Sequence, residues 1–219
     1  MIEFQKYPKT PRLYRSVTIT EKIDGTNATV IVNPLLPIFT PGDAFADGVV
    51  VQLGEHLYLV GAQSRNRVIT PDADNYGFAA WVHANAQALA DVLGPGRHHG
   101  EWYGHGINRG YEMPQGVRRF ALFDVNRYAE ALAMAVHLPY GLGMVPLLYD
   151  GPFADVSVQQ ALTRLKVRGS FVTRPPADHA GGPLPPYRNP EGVIVRHEDA
   201  RAVFKVLIDR DELPKSMAA

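Results

Sequence analysis

Cysteine is absent from the sequence, and neither sign of charge is in excess. Without thiols, a disulfide framework, a cysteine metal site and thiol catalysis are all excluded, and a cytoplasmic location, which we predict, is compatible with the composition. The 22 lysines and arginines are balanced by 22 aspartates and glutamates. A protein that holds nucleic acid chiefly through its overall charge would be more basic, so any such contact has to rely on a local surface.

Long apolar runs are also missing. The most apolar stretch, residues 131–148, contains two prolines and two glycines, which predicts a helix, a turn and a strand rather than a membrane span. A phosphate-binding P-loop is absent, and the glycines from Gly104 to Gly110 do not follow the dinucleotide-binding pattern. His98 and His99 are neighbours on a predicted strand and would point to opposite faces, which argues against a histidine metal site.

The apolar periodicities predict strands and helices in irregular order, which is typical of an α+β fold. The predicted strands are Ser16–Ile23, Ala28–Val32, Val49–Leu53, His56–Ala62, His99–Tyr103, Phe120–Val125, Met144–Tyr149, Gly192–His197 and Ala202–Ile208. The predicted helices are Asn75–Leu93, Tyr128–His137 and Val158–Val167. Asp74 or Asp72 would cap the first helix, and Ser157 the last.

Two stretches rich in proline and glycine, Asn33–Gly48 and Arg174–Pro190, predict surface loops. Neither of them separates halves of different composition. We therefore predict a single domain over residues 1–219.

Five short motifs carry residues that are suited to catalysis. In chain order they are Glu21–Asn27 with Lys22 at the end of a strand, Gly100–Gly104 with Glu101 inside a strand, Phe120–Val125 with Phe123 before Asp124, Glu191–Val195, and Val203–Val206 with Lys205. Each has an ordinary structural explanation, such as a solvated lysine in a turn or a phenylalanine in the core. Their joint occurrence in this order is the specific signal.

This order resembles the covalent nucleotidyltransferase superfamily of DNA ligases, RNA ligases and mRNA capping enzymes, over nearly the whole chain. Lys22–Asn27 is similar to the K-x-[DH]-G-[ST]-N motif of phage type 2 RNA ligases, and Gly100–Gly104 and Phe123-Asp124 resemble two further motifs of that family. Gln63–Asn66 takes the place of their basic motif. The resemblance implies an α+β nucleotidyltransferase (ATP-grasp-like) domain: two antiparallel sheets with flanking helices and the nucleotide in the cleft between them.

The activity that the resemblance implies is that of an ATP-dependent RNA ligase. Lys22 would attack the α-phosphate of ATP and form a covalent lysyl–AMP, which requires a neutral amine, favoured by positive charge nearby. AMP would then pass to a 5′-phosphate end, and a 3′-hydroxyl would displace it. The implied partners are RNA ends, with a nicked duplex and an accessory protein as further options, and no membrane.

The resemblance also implies roles for single residues. The catalytic residues are Lys22, Lys205 and Glu191; the nucleotide-binding residues are Glu21, Ile23, Asn27, Glu101, Phe123 and Lys205; Glu191 and Asp24 would hold Mg²⁺ or Mn²⁺; and Asn27 and Arg65 would meet the RNA ends. Glu101 would accept hydrogen bonds from the ribose, and Phe123 would stack on adenine. The backbone of Glu21 and Ile23 would read the purine edge.

The last motif departs from the family, because ligases usually carry K-x-K and this chain has Lys205 alone. Either Val203 or Leu207 replaces the second lysine, with Arg201 as a candidate substitute. After this motif there is no room for an OB-fold or another accessory domain, so we expect a minimal catalytic domain. Six basic residues form either a nucleic-acid footprint or a scattered solvated surface: Arg118, Arg119, Arg164, Lys166, Arg168 and Arg196.

Three alternatives stay open at this point. A minimal ATP-dependent DNA ligase would seal an all-DNA nick. A catalytically weakened binding module would bind nucleotide or nucleic acid without becoming labelled. A capping-type guanylyltransferase fits the asparagine of the first motif less well.

Overall fold

The computed structural model describes residues 2–172 and 186–209, so most of the predicted Arg174–Pro190 loop lies outside the described residues. The described chain forms two compact units. The first unit comprises residues 2–22, 146–172 and 186–209, and the second comprises residues 23–145. The single domain over residues 1–219 stays a prediction.

The described residues form twelve strands and four α-helices. The strands are β1 (Ser16–Lys22), β2 (Thr26–Leu35), β3 (Ala44–Phe45), β4 (Gly48–Leu53), β5 (His56–Ser64), β6 (Val68–Ile69), β7 (Gly96–Gly104), β8 (Arg118–Leu122), β9 (Leu142–Met144), β10 (Leu147–Pro152), β11 (Gly192–His197) and β12 (Ala202–Leu207). The helices are α1 (Phe78–Ala84), α2 (Ala86–Leu93), α3 (Val125–Met134) and α4 (Asp155–Arg168). The predicted α+β fold of two sheets with flanking helices is confirmed.

The first unit is a four-stranded antiparallel sheet in the order β10-β1-β11-β12. One face of this sheet packs on α4, where the apolar side chains of β1 and β11 meet Leu162 and Leu165 of the helix. Ala154 is the N-cap residue of α4, and Ser157 lies buried inside its first turn. The predicted cap at Ser157 is therefore wrong, because the helix begins three residues earlier than its apolar periodicity indicates.

The second unit is an eight-stranded sheet in the order β3-β4-β5-β2-β7-β8-β9, with β6 paired to β5. Among the described strands, β8 and β9 form the one parallel pair, and the other pairs are antiparallel. Helices α1 and α2 cover one face. Their core holds a cluster of aromatic rings with centroids 5.0–6.0 Å apart: Phe78, Trp81, Trp102 and Phe120.

The predicted helix Asn75–Leu93 is two helices, because α1 begins at Phe78 and ends at Ala84, with Asn85 as the cap between it and α2. The side-chain amide of Asn85 donates to the carbonyl oxygen of Trp81 at 2.8 Å and so competes with the helical hydrogen bond. At the other end, the carboxylate of Asp74 accepts the backbone N–H groups of Ala79 and Ala80 at 2.8 and 3.0 Å. Gly77 is the N-cap residue of α1, so Asp74 does not occupy the N-cap position, but its side chain still satisfies two N–H groups of the first turn.

Three strand predictions need correction. Strand β2 continues to Leu35, and β3 lies inside the predicted Asn33–Gly48 loop. The predicted strand Met144–Tyr149 is divided into β9 and β10, which belong to different units. Strand β8 ends at Leu122, because Asp124 caps α3 by accepting the N–H of Arg127; α3 therefore begins three residues before the predicted start.

No helix in the described part of the chain is long and apolar enough to cross a membrane.

Candidate active site

Lys22 is the last residue of β1, and its ammonium donates a hydrogen bond to the carboxylate of Glu191. Both side chains are partly buried, with 22% and 20% of their surface exposed. Glu191 immediately precedes β11, whose Gly192 lies opposite Lys22 in the sheet. A Cβ atom on Gly192 would stand 2.2 Å from the carbonyl oxygen of Val206, so only glycine allows β12 to pass this closely. Two of the three predicted catalytic residues are therefore in direct contact.

The strand register puts Lys205 on the same face of this sheet as Lys22. Lys22 lies opposite Gly192, and Lys205 lies opposite Ile194, two residues further along β11. Residues directly opposite share a face, and so do residues two apart on one strand. The other face carries Val193, Val195 and Val206, which pack against α4. Lys22 and Lys205 thus belong to the face that is free of the helix, and Glu191 contacts Lys22 from the residue that precedes β11.

The same register describes the surroundings of the single-lysine motif. Val203 and Leu207 lie on the same face as Lys205, so either position could have carried the second lysine of the K-x-K motif. Arg196 lies directly opposite Val203 on that face. Arg201 lies in the exposed turn between β11 and β12. Arg196 is a cation that the sequence prediction did not associate with this motif.

Glu21 points to the opposite face from Lys22, and its residue surface is 1% exposed. Its carboxylate accepts hydrogen bonds from the Ser170 hydroxyl at 2.6 Å and from the Phe171 N–H at 2.7 Å. Burial nevertheless raises the pKa of Glu21 to about 7, because desolvation outweighs these two hydrogen bonds. The side chain thus connects β1 to the segment after α4. The predicted role of the Glu21 backbone toward a purine stays a prediction, as does that of the buried Ile23.

In the second unit, Asp24 holds the turn that follows β7. Its carboxylate accepts from Arg109 Nε at 3.0 Å and from Asn108 Nδ2 at 3.1 Å. Its backbone N–H donates to the Tyr111 hydroxyl at 2.6 Å. Asn108 and Tyr111 have positive φ angles of 43° and 53°. The hydrogen bonds to Asp24 hold both residues in this strained backbone conformation. The sequence prediction missed Tyr111, and it gave no role to Asn108 or Arg109.

Glu101 lies in the centre of the sheet of the second unit, and its carboxylate accepts the N–H of Gly25 at 3.1 Å. Strand pairing places Glu101 between Asn27 on β2 and Ala121 on β8. Phe123 continues that ladder by donating its N–H to the His99 carbonyl oxygen. Alternation then puts Asn27, Glu101 and Phe123 on one face and the aromatic core on the other. Three predicted nucleotide-binding residues therefore share a surface.

Gly25 is required by the same arrangement. A Cβ atom there would stand 2.4 Å from the Trp102 carbonyl oxygen and 2.9 Å from the Tyr103 side chain. Any other residue would push the turn after Lys22 away from β7. Close packing against β7 therefore explains why this position of the first motif is glycine, which the sequence alone indicated only as a turn.

The carboxylates of the two candidate metal ligands both accept hydrogen bonds from other side chains. Glu191 contacts Lys22, and Asp24 contacts Arg109 and Asn108. The described residues contain no group of three histidine or acidic side chains that could hold a metal ion. An ion that keeps most of its waters and binds substrate phosphates needs one or two protein carboxylates, and the partly exposed Glu191 fits that requirement.

The prediction that His98 and His99 point to opposite faces of their strand is confirmed. His98 is buried, where it accepts a hydrogen bond from the Tyr128 hydroxyl and donates one to the Gly94 carbonyl oxygen. Burial lowers the pKa of His98 to about 4. His99 lies on the opposite face and is exposed.

The six basic residues are divided between the two units, with Arg118 and Arg119 in the second and the other four in the first. Arg118 donates to the carbonyl oxygens of His105 and Tyr76, and Arg164 to that of Leu148. Arg119 is buried beneath the ring of Tyr140, and its Nε and Nη2 have no hydrogen-bond partner among the described residues. Two further members, Lys166 and Arg168, end α4, where a helix terminus favours cations.

Arg65, the predicted contact for RNA ends, lies in the exposed bend between β5 and β6. Its role stays a prediction.

The chain is similar to known proteins over most of its length. Residues 15–207 match the family model described as RNA ligase. Two solved structures, variants of the Naegleria gruberi RNA ligase with AMP and Mn, share 16% sequence identity with the chain at a TM-score of 0.50. Each match covers 89% of this chain and 50% of the other, so the chain spans about half the length of those proteins. At this identity the likeness shows the fold alone. No curated protein matches the chain.

Proposed function

Because the chain belongs to the RNA ligase family, we propose that it is an ATP-dependent RNA ligase that forms a covalent lysyl–AMP on Lys22. The observation that carries this proposal is the contact of Lys22 with Glu191, on the sheet face that also bears Lys205. A lysine held by a carboxylate at the end of a strand is oriented before it reacts. A solvated turn lysine would have no such partner.

The proposed first step transfers AMP from ATP to the chain. The neutral Nζ of Lys22 attacks the α-phosphorus, an N–P bond forms, the bond to the β-phosphate oxygen breaks, and pyrophosphate leaves. The proton that the ammonium gives up passes to Glu191 or to solvent. Lys205 stabilises the negative charge that builds on the α-phosphate.

The proposed second and third steps join RNA ends. A 5′-phosphate oxygen attacks the phosphorus of lysyl–AMP and releases Lys22, giving an AMP-activated end. A 3′-hydroxyl then attacks that end and releases AMP. Asn27 and Arg65 are the proposed contacts to the ends, Arg65 because its planar fork suits a phosphate.

The proposed nucleotide contacts use the face of the second unit that carries Asn27, Glu101 and Phe123. Glu101 binds the ribose hydroxyls, and the half-buried ring of Phe123 stacks on adenine. Glu21 and Ile23 contact the purine through their backbone. The proposed cofactors are ATP and Mg²⁺ or Mn²⁺, supported by the AMP and Mn of the matched structures. When bound, the cation would neutralise phosphate charge, with Glu191 and Asp24 as its carboxylates.

Radiolabelling with α-labelled ATP and Mg²⁺ tests the proposal. We expect an acid-labile label on the wild-type chain from ATP and not from GTP, and no label on Lys22→Ala. Lys166→Ala removes an exposed lysine of α4 and is expected to label like the wild type. A folded, AMP-free wild-type chain that takes no label would disprove the enzyme and favour the binding module. A label from GTP alone would favour a capping-type enzyme.

A further inference from the structure

The segment of residues 2–15, here the basic segment, has a three-residue repeat. Lys6, Lys9, Arg12 and Arg15 recur at every third position, and no acidic residue occurs between Phe4 and Thr20. The segment holds four of the 22 basic residues of the chain and one of the 22 acidic residues. The rest of the chain therefore has three more acidic than basic residues, so this segment adds a concentrated positive charge to a chain that is otherwise slightly acidic.

The prolines of the basic segment favour an extended backbone conformation. Pro8 and Pro11 fix their own φ angles near −65° and disfavour the helical region for Tyr7 and Thr10. The segment forms neither helix nor strand, and its described residues have no positive φ angle. A polyproline II conformation has three residues per turn, so a three-residue repeat puts Lys6, Lys9 and Arg12 along one edge, about 9 Å apart. Arg15 lies outside this edge, because residues 13–15 form a bend and its guanidinium pairs with Asp199 at 3.3 Å. Phe4 and Tyr7 share a second edge.

The basic segment is exposed along its length, and its end is fixed to the first unit. Phe4 is 92% and Tyr7 85% exposed. Near Ser16, the His197 Nε2 donates to the Leu13 carbonyl oxygen at 2.8 Å, and the Phe153 N–H donates to that of Arg15 at 2.7 Å. Strand β1 follows directly and ends at Lys22, about 20 Å further on at the usual rise of a strand.

We propose that the basic segment binds a single-stranded stretch of the RNA substrate, with its cationic edge on the phosphates and the rings of Phe4 and Tyr7 stacked on bases. This inference rests on the proposed function. Exposed rings between regularly spaced cations fit a single strand, because its unpaired bases offer their faces and its backbone offers charge. An acidic protein would form ion pairs with the cations but would offer no bases on which the rings of Phe4 and Tyr7 could stack.

Fluorescence anisotropy with a labelled, unstructured 20-nucleotide RNA tests the proposal, with Mg²⁺ and without ATP. In K6Q/K9Q/R12Q we expect at least tenfold weaker binding than in the wild type. The slope of log affinity against log salt should fall by about 2, since each lost phosphate contact removes about 0.7 on a single strand. In F4L/Y7L, which keeps apolar bulk and loses the ring faces, we expect about fivefold weaker binding or more.

The control K6R/K9R/R12K keeps every charge and is expected to bind like the wild type. All variants should form lysyl–AMP at the wild-type rate, because the segment contacts RNA and not ATP. Wild-type affinity and salt slope in K6Q/K9Q/R12Q would overturn the proposal, as would unchanged binding by F4L/Y7L. A wild-type chain that takes no label from ATP would instead refute the proposed enzyme, and the binding measurement would still decide the segment.

Discussion

At the scale of single residues, the pair Lys22–Glu191 joins two motifs that are 169 positions apart in the sequence. Motif order alone suggested both residues as catalytic, but it assigned Glu191 to a metal ion and gave Lys22 no partner. The contact adds a second role to the glutamate. Glu191 holds the proposed nucleophile and is also the proposed ligand of the cation, so its removal should affect the proposed first step in two ways.

We predict that Glu191→Gln slows lysyl–AMP formation by roughly a hundredfold, the usual size of a lost proton-transfer or charge contribution. The amide keeps the shape of the side chain but neither accepts a proton nor binds a cation as a carboxylate does. Single-turnover incorporation of α-labelled ATP measures the rate. Glu198→Gln, an exposed glutamate in the β11–β12 turn, should leave it unchanged. A Glu191→Gln rate within threefold of the wild type would contradict the assignment.

Glu21 makes stability depend on pH. Its folded pKa is about 7, above the ordinary value of 4.5. An acid with a raised pKa favours folding most below its unfolded pKa, and this contribution is lost as pH rises through the folded pKa. From about pH 5 to about pH 8, the free energy of unfolding of the wild type should therefore fall relative to that of Glu21→Gln. Urea unfolding at several pH values measures the difference.

The prediction concerns how the free energy of unfolding changes with pH and not its absolute value, because glutamine also changes the hydrogen bonds to Ser170 and Phe171. Glu55→Gln, in the exposed turn between β4 and β5, is the matched control and should follow the wild type. Curves for Glu21→Gln and the wild type that run parallel over this range would show that Glu21 does not titrate there.

At the scale of elements, the role of Asp74 at the start of α1 offers a sharp comparison, because the sequence left Asp72 and Asp74 as equal candidates. The carboxylate of Asp74 accepts the N–H groups of Ala79 and Ala80, whereas Asp72 is exposed. Asp74→Ala should lower the free energy of unfolding by about 1–2 kcal/mol, as expected when a side chain that accepts N–H groups of the first helical turn is removed. Asp72→Ala should change it by less than about 0.5 kcal/mol. Chemical denaturation measures both, and equal losses would contradict the assignment.

Strands were easier to predict than helix boundaries, for physical reasons. Residues 192–197 read correctly as β11, and the paired ends of β4 and β5 follow from the turn at Gly54. The break of one predicted helix into α1 and α2 depends on a side-chain amide reaching the Trp81 carbonyl oxygen. Apolar periodicity does not predict this break, since the same face is apolar on both sides of Asn85.

At the scale of the whole molecule, the order of the motifs predicted the family correctly, while local patterns did not predict the two units. The first unit is assembled from three separate stretches of chain, and the boundary after Lys22 falls inside the first motif. No change of composition marks such a boundary, because each stretch supplies strands to a sheet of ordinary apolar character. Long-range strand pairing, as between β1 and β11, decides the grouping, and only coordinates reveal it.

The choice between RNA and DNA belongs to the whole molecule, since it concerns the complete joining reaction. We predict that the chain seals a nick with a ribose 3′-end at least about tenfold faster than one with a deoxyribose 3′-end, because the 2′-hydroxyl is the group that distinguishes the two. Gel electrophoresis of labelled strands, identical except for that terminal sugar, measures the ratio. Equal rates would favour the minimal DNA ligase. Lys22→Ala should still seal a strand that already carries a 5′-AMP group, because that substrate bypasses lysyl–AMP; failure there would mean that Lys22 also serves the last step.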